Sequence, residues 1–198
     1  HLSEKFAEQS KKYNSRAEFS VKHIKKNNLE QFANDFCIVY NKAWASHEGN
    51  KQMNKEVALT RFKSMKAAIY ERLVGFVFYY EHAIAFWLNL PEINQIFKNF
   101  HGKFGLLEKL KFLWLKNKGA NDKFTGIVFG VIPEFQGQGI DYYMINEGGR
   151  EIQHKTNYKE LELQWQGDFN PKISNISKNI RAHENRILTT YRYIFDRP

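Results

Sequence analysis

The segment Phe124-Thr-Gly-Ile-Val-Phe-Gly-Val-Ile-Pro-Glu-Phe-Gln-Gly-Gln-Gly-Ile-Asp-Tyr-Tyr-Met-Ile145 carries the clearest chemical signal in this chain. Phe124 to Ile132 reads as a buried strand that breaks at Pro133; Gln136-Gly137-Gln138-Gly139 reads as a turn, and Ile140 opens a helix. Backbone N–H groups exposed at such a turn, with the positive end of a helix dipole behind them, make an anion site suited to a pyrophosphate. A P-loop would need a Lys-Ser/Thr pair after its last glycine, and Ile140-Asp141 stands there. A dinucleotide fingerprint could take Gly137 and Gly139 as its first glycines and Glu160 or Glu162 as its acid. It fails because Tyr142 occupies the third glycine and Pro133-Glu134-Phe135 separates strand from turn. The competing reading is a plain strand–turn–helix connection whose glycines serve turn geometry alone.

Gly126 and Gly130 interrupt the strand, and interior glycine weakens a strand unless a bulge, a neighbouring backbone or a ligand requires it. The run Gln136-Gly137-Gln138-Gly139-Ile140-Asp141 resembles the central Gln/Arg-x-x-Gly-x-Gly/Ala motif of the GNAT superfamily of acetyltransferases, with Asp141 where Gly or Ala is usual. The resemblance implies a bulged strand splayed from its neighbour, with the pantetheine arm of acetyl-CoA, or of another acyl-CoA, in the gap. Backbone groups of Val131 and Ile132 would bind that arm. Amides of Gln136, Gly137, Gln138, Gly139, Ile140 and Asp141 would hold the diphosphate, and Asn170 matches the residue that begins the next motif. Seven residues on, where many members carry a Tyr as acid for the leaving thiolate, stands Ser177. Arg181 stands where Gly is usual. A hydroxyl as weakly acidic as that of Ser is a poor general acid.

The elements around this segment follow from periodicity. Glu18 to Ile24 alternates as a half-buried strand; Leu29, Phe32, Ala33, Phe36, Val39, Tyr40 and Ala43 mark a helix after Asn28. Asn54 caps a second helix with Val57, Phe62 and Met65 on its buried stripe. Leu73 to Tyr80 and Ala83 to Leu88, around Glu81-His82, predict a hairpin. A short helix follows Pro91. Gly102 to Lys118 predicts an amphipathic helix whose Phe104, Leu107, Leu110, Leu113 and Trp114 would either meet a membrane surface or cover the sheet; such stripes more often cover a core. Leu161 to Trp165 is a strand, Asn170-Pro171 starts a helix, and Leu188 to Phe195 closes the chain as a last strand.

This order is α/β and similar to that of the GNAT fold: a mixed, mostly antiparallel central sheet with a splayed strand pair and helices on both faces. Residues 1–17 would be an N-terminal helical arm or interdomain connector, weakly held, and 18–198 the acyl-CoA-binding domain. Leu90-Pro91-Glu92-Ile93-Asn94-Gln95 and Thr190-Tyr191-Arg192-Tyr193 resemble a bacterial branch in which this domain is the C-terminal half of a two-domain protein, so an N-terminal partner domain is expected.

The chain has 198 residues, 42% hydrophobic and 16% aromatic, enough for one packed domain. A single cysteine, Cys37, excludes an internal disulfide and reads as a buried thiol. No secretory signal is evident, and a cytoplasmic location is expected. The net charge of +9 is spread over scattered lysines without an Arg-rich tract, so nucleic acid is not the expected partner; no apolar run approaches the roughly twenty residues that span a bilayer, and no membrane is expected either. The seven histidines show no ligand spacing, and no metal is expected. No residue earns a catalytic assignment. Glu162 could act as base from its strand, although an exposed strand Glu is more often solvated, and Tyr191 could act as acid. The reading is an N-acyltransferase moving an acetyl group from acetyl-CoA to a small-molecule or peptide amine. The alternative is a catalytically degenerate GNAT-like module that binds CoA or serves as a scaffold.

Overall fold

The computed structural model describes residues 4–44, 51–167 and 170–195, in two units, Glu4–Trp165 and the stretch from Gln166 onward. The first unit runs α1 (Glu4–Asn14), β1 (Phe19–His23), α2 (Leu29–Trp44), α3 (Lys55–Ser64), β2 (Val74–Tyr79), β3 (His82–Pro91), α4 (Asn94–Phe97), α5 (Leu106–Asn117), β4 (Lys123–Val131), α6 (Ile140–Lys155) and β5 (Glu160–Leu163). The strands lie side by side in chain order; three pairings are antiparallel and β4–β5 is parallel. The expected α/β class and mostly antiparallel sheet are present.

β3 shows why helices cover both faces. Successive side chains of a strand point to opposite sides. Phe86 meets Phe36 of α2, ring centroids 4.8 Å apart. Its neighbour Trp87 points the other way, to α6, where a Cβ on Gly148 would lie 3.0 Å from the indole. Gly148, which weakens α6 by propensity, therefore has a packing reason.

Several expectations shift. The hairpin turns on Tyr80-Glu81, one residue earlier than expected, with Tyr80 at φ 50°. Asn54 caps α3 as expected, accepting from the Glu56 N–H at 2.7 Å, but Ala58 rather than Val57 is buried beside Phe62. α1 is not weakly held: Phe6 and Tyr13 are fully buried, and α1 packs along α6. Ser10 Oγ donates to Glu147 at 2.6 Å and accepts from the Asn146 amide at 2.8 Å.

α5 departs furthest from expectation. Its Leu and Trp stripe does not cover the sheet. Phe112, on the opposite side, packs with Ile96 and Phe100, and the stripe faces outward. An amphipathic pattern reports that two sides differ, not which of them meets a neighbour.

The second unit contains α7 (Pro171–Asn179); residues 182–195 form no helix or strand. The strand expected over Leu188–Phe195 is absent. Its alternation marks β propensity, yet a strand also needs a ladder partner for its backbone groups.

Candidate active site

The site is built on an irregularity in β4. Leu88 pairs with Val128 and Asn89 with Gly126, so Ile127 is an extra residue, a β-bulge. A bulge reverses which side chains face which layer. Before it, Phe124 clusters with Ile152 of α6; after it, Gly130 faces α2, where a Cβ would lie 3.1 Å from that of Ala43. β5 pairs with β4 only over Lys123–Gly126, and the Gln164 N–H closes the ladder on the Gly126 carbonyl at 3.2 Å. Beyond Gly126 the two strands part, giving the expected splayed pair.

Strand parity identifies the groups on the open edge. The Ile132 N–H donates to the Ile84 carbonyl at 3.0 Å, so Gly130 and Val128 also face β3, and Phe129 and Val131 face the gap. The Val131 carbonyl accepts from the Gln136 amide at 2.9 Å. Ile132 turns its N–H inward, and its carbonyl accepts from the Phe135 N–H at 3.0 Å. Gly126 and Gly130 do not leave empty space there. A Cβ on Gly126 would meet Leu163 at 3.1 Å, so these glycines let β5 and α2 approach.

The glycine turn follows. Gly137 and Gly139 hold φ of 72° and 87°, the left-handed region that glycine enters without strain. Gln138 Nε2 donates to the Glu134 carbonyl at 2.7 Å, so the Gln136 and Gln138 side chains brace the turn from within. From outside, Tyr13 Oη donates to the Gln138 carbonyl at 2.7 Å, and a Cβ on Gly139 would lie 2.6 Å from Oε1 of Gln9. Ile140 and Asp141 open α6, where N–H groups have no carbonyl one turn back to bond and the dipole favours negative charge.

Beside the carboxyl end of β4 lies a cleft of about 450 Å³ lined by residues that include Asp35, Ile38, Lys42, Tyr79, Ile132 and Phe135. Asp35 is 5% exposed; burial pushes its carboxyl above the usual carboxylate range, against the Gln31 amide that donates to it at 3.0 Å. Sequence reading passed over Asp35, although a lone carboxylate between Phe32, Phe36 and Val39 on one helical stripe was a usable signal. Glu162 sits on β5 opposite Thr125, on the face away from Leu161 and Leu163. Among the described residues no group of three or more His, Cys, Asp or Glu could hold a metal ion.

In the second unit Asn170 caps α7, accepting from the Ile173 N–H at 3.3 Å. Ser177 Oγ donates to Gln166 at 2.8 Å, and Arg181 sits at φ 60° just past the helix, the conformation that favours glycine there. Tyr191 is exposed.

No family model matches the chain. Among solved structures it is similar to a possible acetyltransferase from Clostridium difficile 630, with 16% identity, TM-score 0.53 and 89% and 98% of the two chains covered. An aminoglycoside N-acetyltransferase in complex with CoA aligns at 13% identity and TM-score 0.55, covering 88% and 94%. One from an uncultured soil metagenomic sample, bound to trehalose, aligns at 9% and 0.56, covering 90% and 98%. The chain has the GNAT acetyltransferase fold. Within that fold, the bulged strand β4, the glycine turn and α6 occupy consecutive positions here. A curated relative, the bacterial ceramide synthase of Caulobacter vibrioides, is 24% identical over 176 residues; the match covers 86% of this chain and 45% of the relative, so the chain spans about half that protein's length.

Proposed function

We propose that this GNAT-fold chain is an acyl-CoA-dependent N-acyltransferase. The observation that carries the reading is the β4 edge. Phe129 and Val131 turn backbone groups into a gap that ends at a glycine turn and a helix N-terminus. An extended pantetheine arm could add to that edge as a strand adds to a sheet, and a diphosphate suits the turn. Amides from Gly137 to Asp141 would hold the diphosphate, the Gln136 N–H expected among them being already bonded to the Pro133 carbonyl at 3.2 Å, and Val131 would position the thioester. A neutral amine then attacks the thioester carbonyl; the N–C bond forms, the C–S bond breaks, and CoA leaves as a thiolate that water protonates. The amine proton passes to a carboxylate. Asp35 suits this role, since a carboxyl raised by burial is a stronger base; Glu162 is the other candidate.

Acetyl-CoA or a longer acyl-CoA could be the donor. The similarity to a ceramide synthase supports an amphipathic amino alcohol as acceptor, because a ceramide is a fatty amide of one. The full activity belongs with a longer protein that includes a partner domain. Calorimetric titration with acetyl-CoA and a long-chain acyl-CoA tests the reading; failure of both to bind at about millimolar concentration sinks it. Ser177, already bonded to Gln166, favours the second reading of a CoA-binding module without turnover. Turnover with an amine panel, by a protein that contains this chain and its partner domain, decides between the two.

A further inference from the structure

Among the described residues, α5 presents an apolar face with no neighbour. Leu106, Leu107, Leu110, Leu113 and Trp114 are 75%, 76%, 58%, 48% and 54% exposed. At 3.6 residues per turn they subtend an arc of about 120°, the width of a stripe that normally faces a core. The helix is fastened to the body from the opposite side, by Phe112 within the Ile96 and Phe100 cluster. Outward exposure is therefore built into the docking of α5 and does not come from a helix hanging loose.

The margins of the stripe identify its partner. Lys109 borders one side of the arc, and Lys111 and Lys118 the other; all three are exposed, and Lys103 precedes the helix. Lys118 Nζ lies 4.2 Å from the Trp114 ring centre, so indole and ammonium sit together at one edge. Lys116 is the exception, donating to the Ala67 carbonyl with its pKa pushed down to about 8 by burial. Protein interfaces are depleted of lysine. An apolar stripe flanked by lysines, with Trp at the boundary, matches a bilayer whose headgroups carry phosphate above an acyl layer. The net charge of +9 acts in the same direction. Among the described residues no helix is long and apolar enough to cross a membrane, and α5 has 12 residues, so the helix would lie in the interface plane.

We infer that α5 docks this protein on anionic membrane surfaces, its Leu and Trp face entering the acyl boundary and its lysines meeting lipid phosphates. The inference stands on α5 alone and holds whichever amine is acylated.

The test is sedimentation of the full chain with phosphatidylcholine vesicles, with and without phosphatidylglycerol, beside light scattering without lipid. Binding is expected with phosphatidylglycerol, weakening as salt rises. L107E/L110E should weaken it more than about tenfold, from the apolar area withdrawn and charge added. Lys109→Gln and Lys111→Gln should each weaken it about fivefold. As a check that needs no variant, brominated lipid should quench wild-type tryptophan emission, and Trp114→Phe should remove most of the quenching. The proposal is overturned if the wild type ignores anionic vesicles, or if the glutamate variant folds by circular dichroism and binds undiminished. It is equally overturned if the wild type is a lipid-indifferent oligomer that this variant dissociates, since the face would then belong to a second copy.

Discussion

The Tyr13 hydroxyl donates a 2.7 Å hydrogen bond to the carbonyl of Gln138, 125 residues away in sequence and inside the glycine turn. That bond makes α1 part of the proposed cofactor site. Tyr13→Phe keeps the buried ring and orphans the carbonyl, so a loss of about 1 kcal/mol is expected. Denaturant titration should show that small change while acyl-CoA affinity falls several-fold. Unchanged affinity would mean that α1 supports only the fold.

The two turn glycines should separate. Both sit at positive φ, but Gly139 also faces Gln9, whereas among the described residues nothing lies within 4 Å of a Cβ on Gly137. Gly137→Ala should cost about 1 kcal/mol of stability from strain alone. Gly139→Val adds a clash with α1 and should lower the melting temperature clearly further. Equal melting temperatures for the two variants would contradict the packing seen around Gly139.

The two carboxylates can be told apart by activity. Asp35→Asn should lower kcat by about 10²-fold or more if Asp35 takes the amine proton. It should also raise stability at neutral pH, because an ionised carboxyl is no longer buried. Glu162→Gln should then leave kcat within a few-fold. A reversed pattern assigns the proton to Glu162.

His23 sets a pH dependence. It packs against Trp87, ring centroids 5.4 Å apart, and burial pulls its pKa below 6.5, partly offset by Glu151. The folded form thus favours neutral imidazole, so its contribution is complete above pH 6.5 and declines as pH falls toward the folded value. Denaturation midpoints should fall as the medium is acidified below that pH, and His23→Gln should flatten the slope. A slope unchanged in His23→Gln would assign the acid sensitivity to other groups.

What could be read from sequence was whatever depends on neighbours along the chain. The strand from Phe124, the turn, α6 and the Asn54 and Asn170 caps all follow from local spacing. The bulge was half legible: Gly126 marked an irregularity, but only the pairing with Leu88 and Asn89 makes Ile127 the extra residue. The attachment of α1 is only partly legible, because polar bonds join the buried Phe6 and Tyr13 in holding it. Ser10, Asn14 and Tyr13 bond Glu147, Asn146, Tyr143 and Gln138, and no hydrophobic period records such contacts. The α5 stripe and the terminal strand failed for one reason: a pattern reports readiness to pack or pair, and the partner lies elsewhere.

The bond between α1 and the glycine turn also bears on when the site forms. α1 leaves the ribosome long before α6, so Phe6 and Tyr13 must wait, uncovered, until more than a hundred further residues have been made. Closing so long a loop is slow relative to forming either helix. The sheet could pair first, leaving the turn without its outer brace. Competence to bind an acyl-CoA would then be a late folding event, and a chaperone or partner that shields α1 during synthesis would govern how much of the chain reaches it.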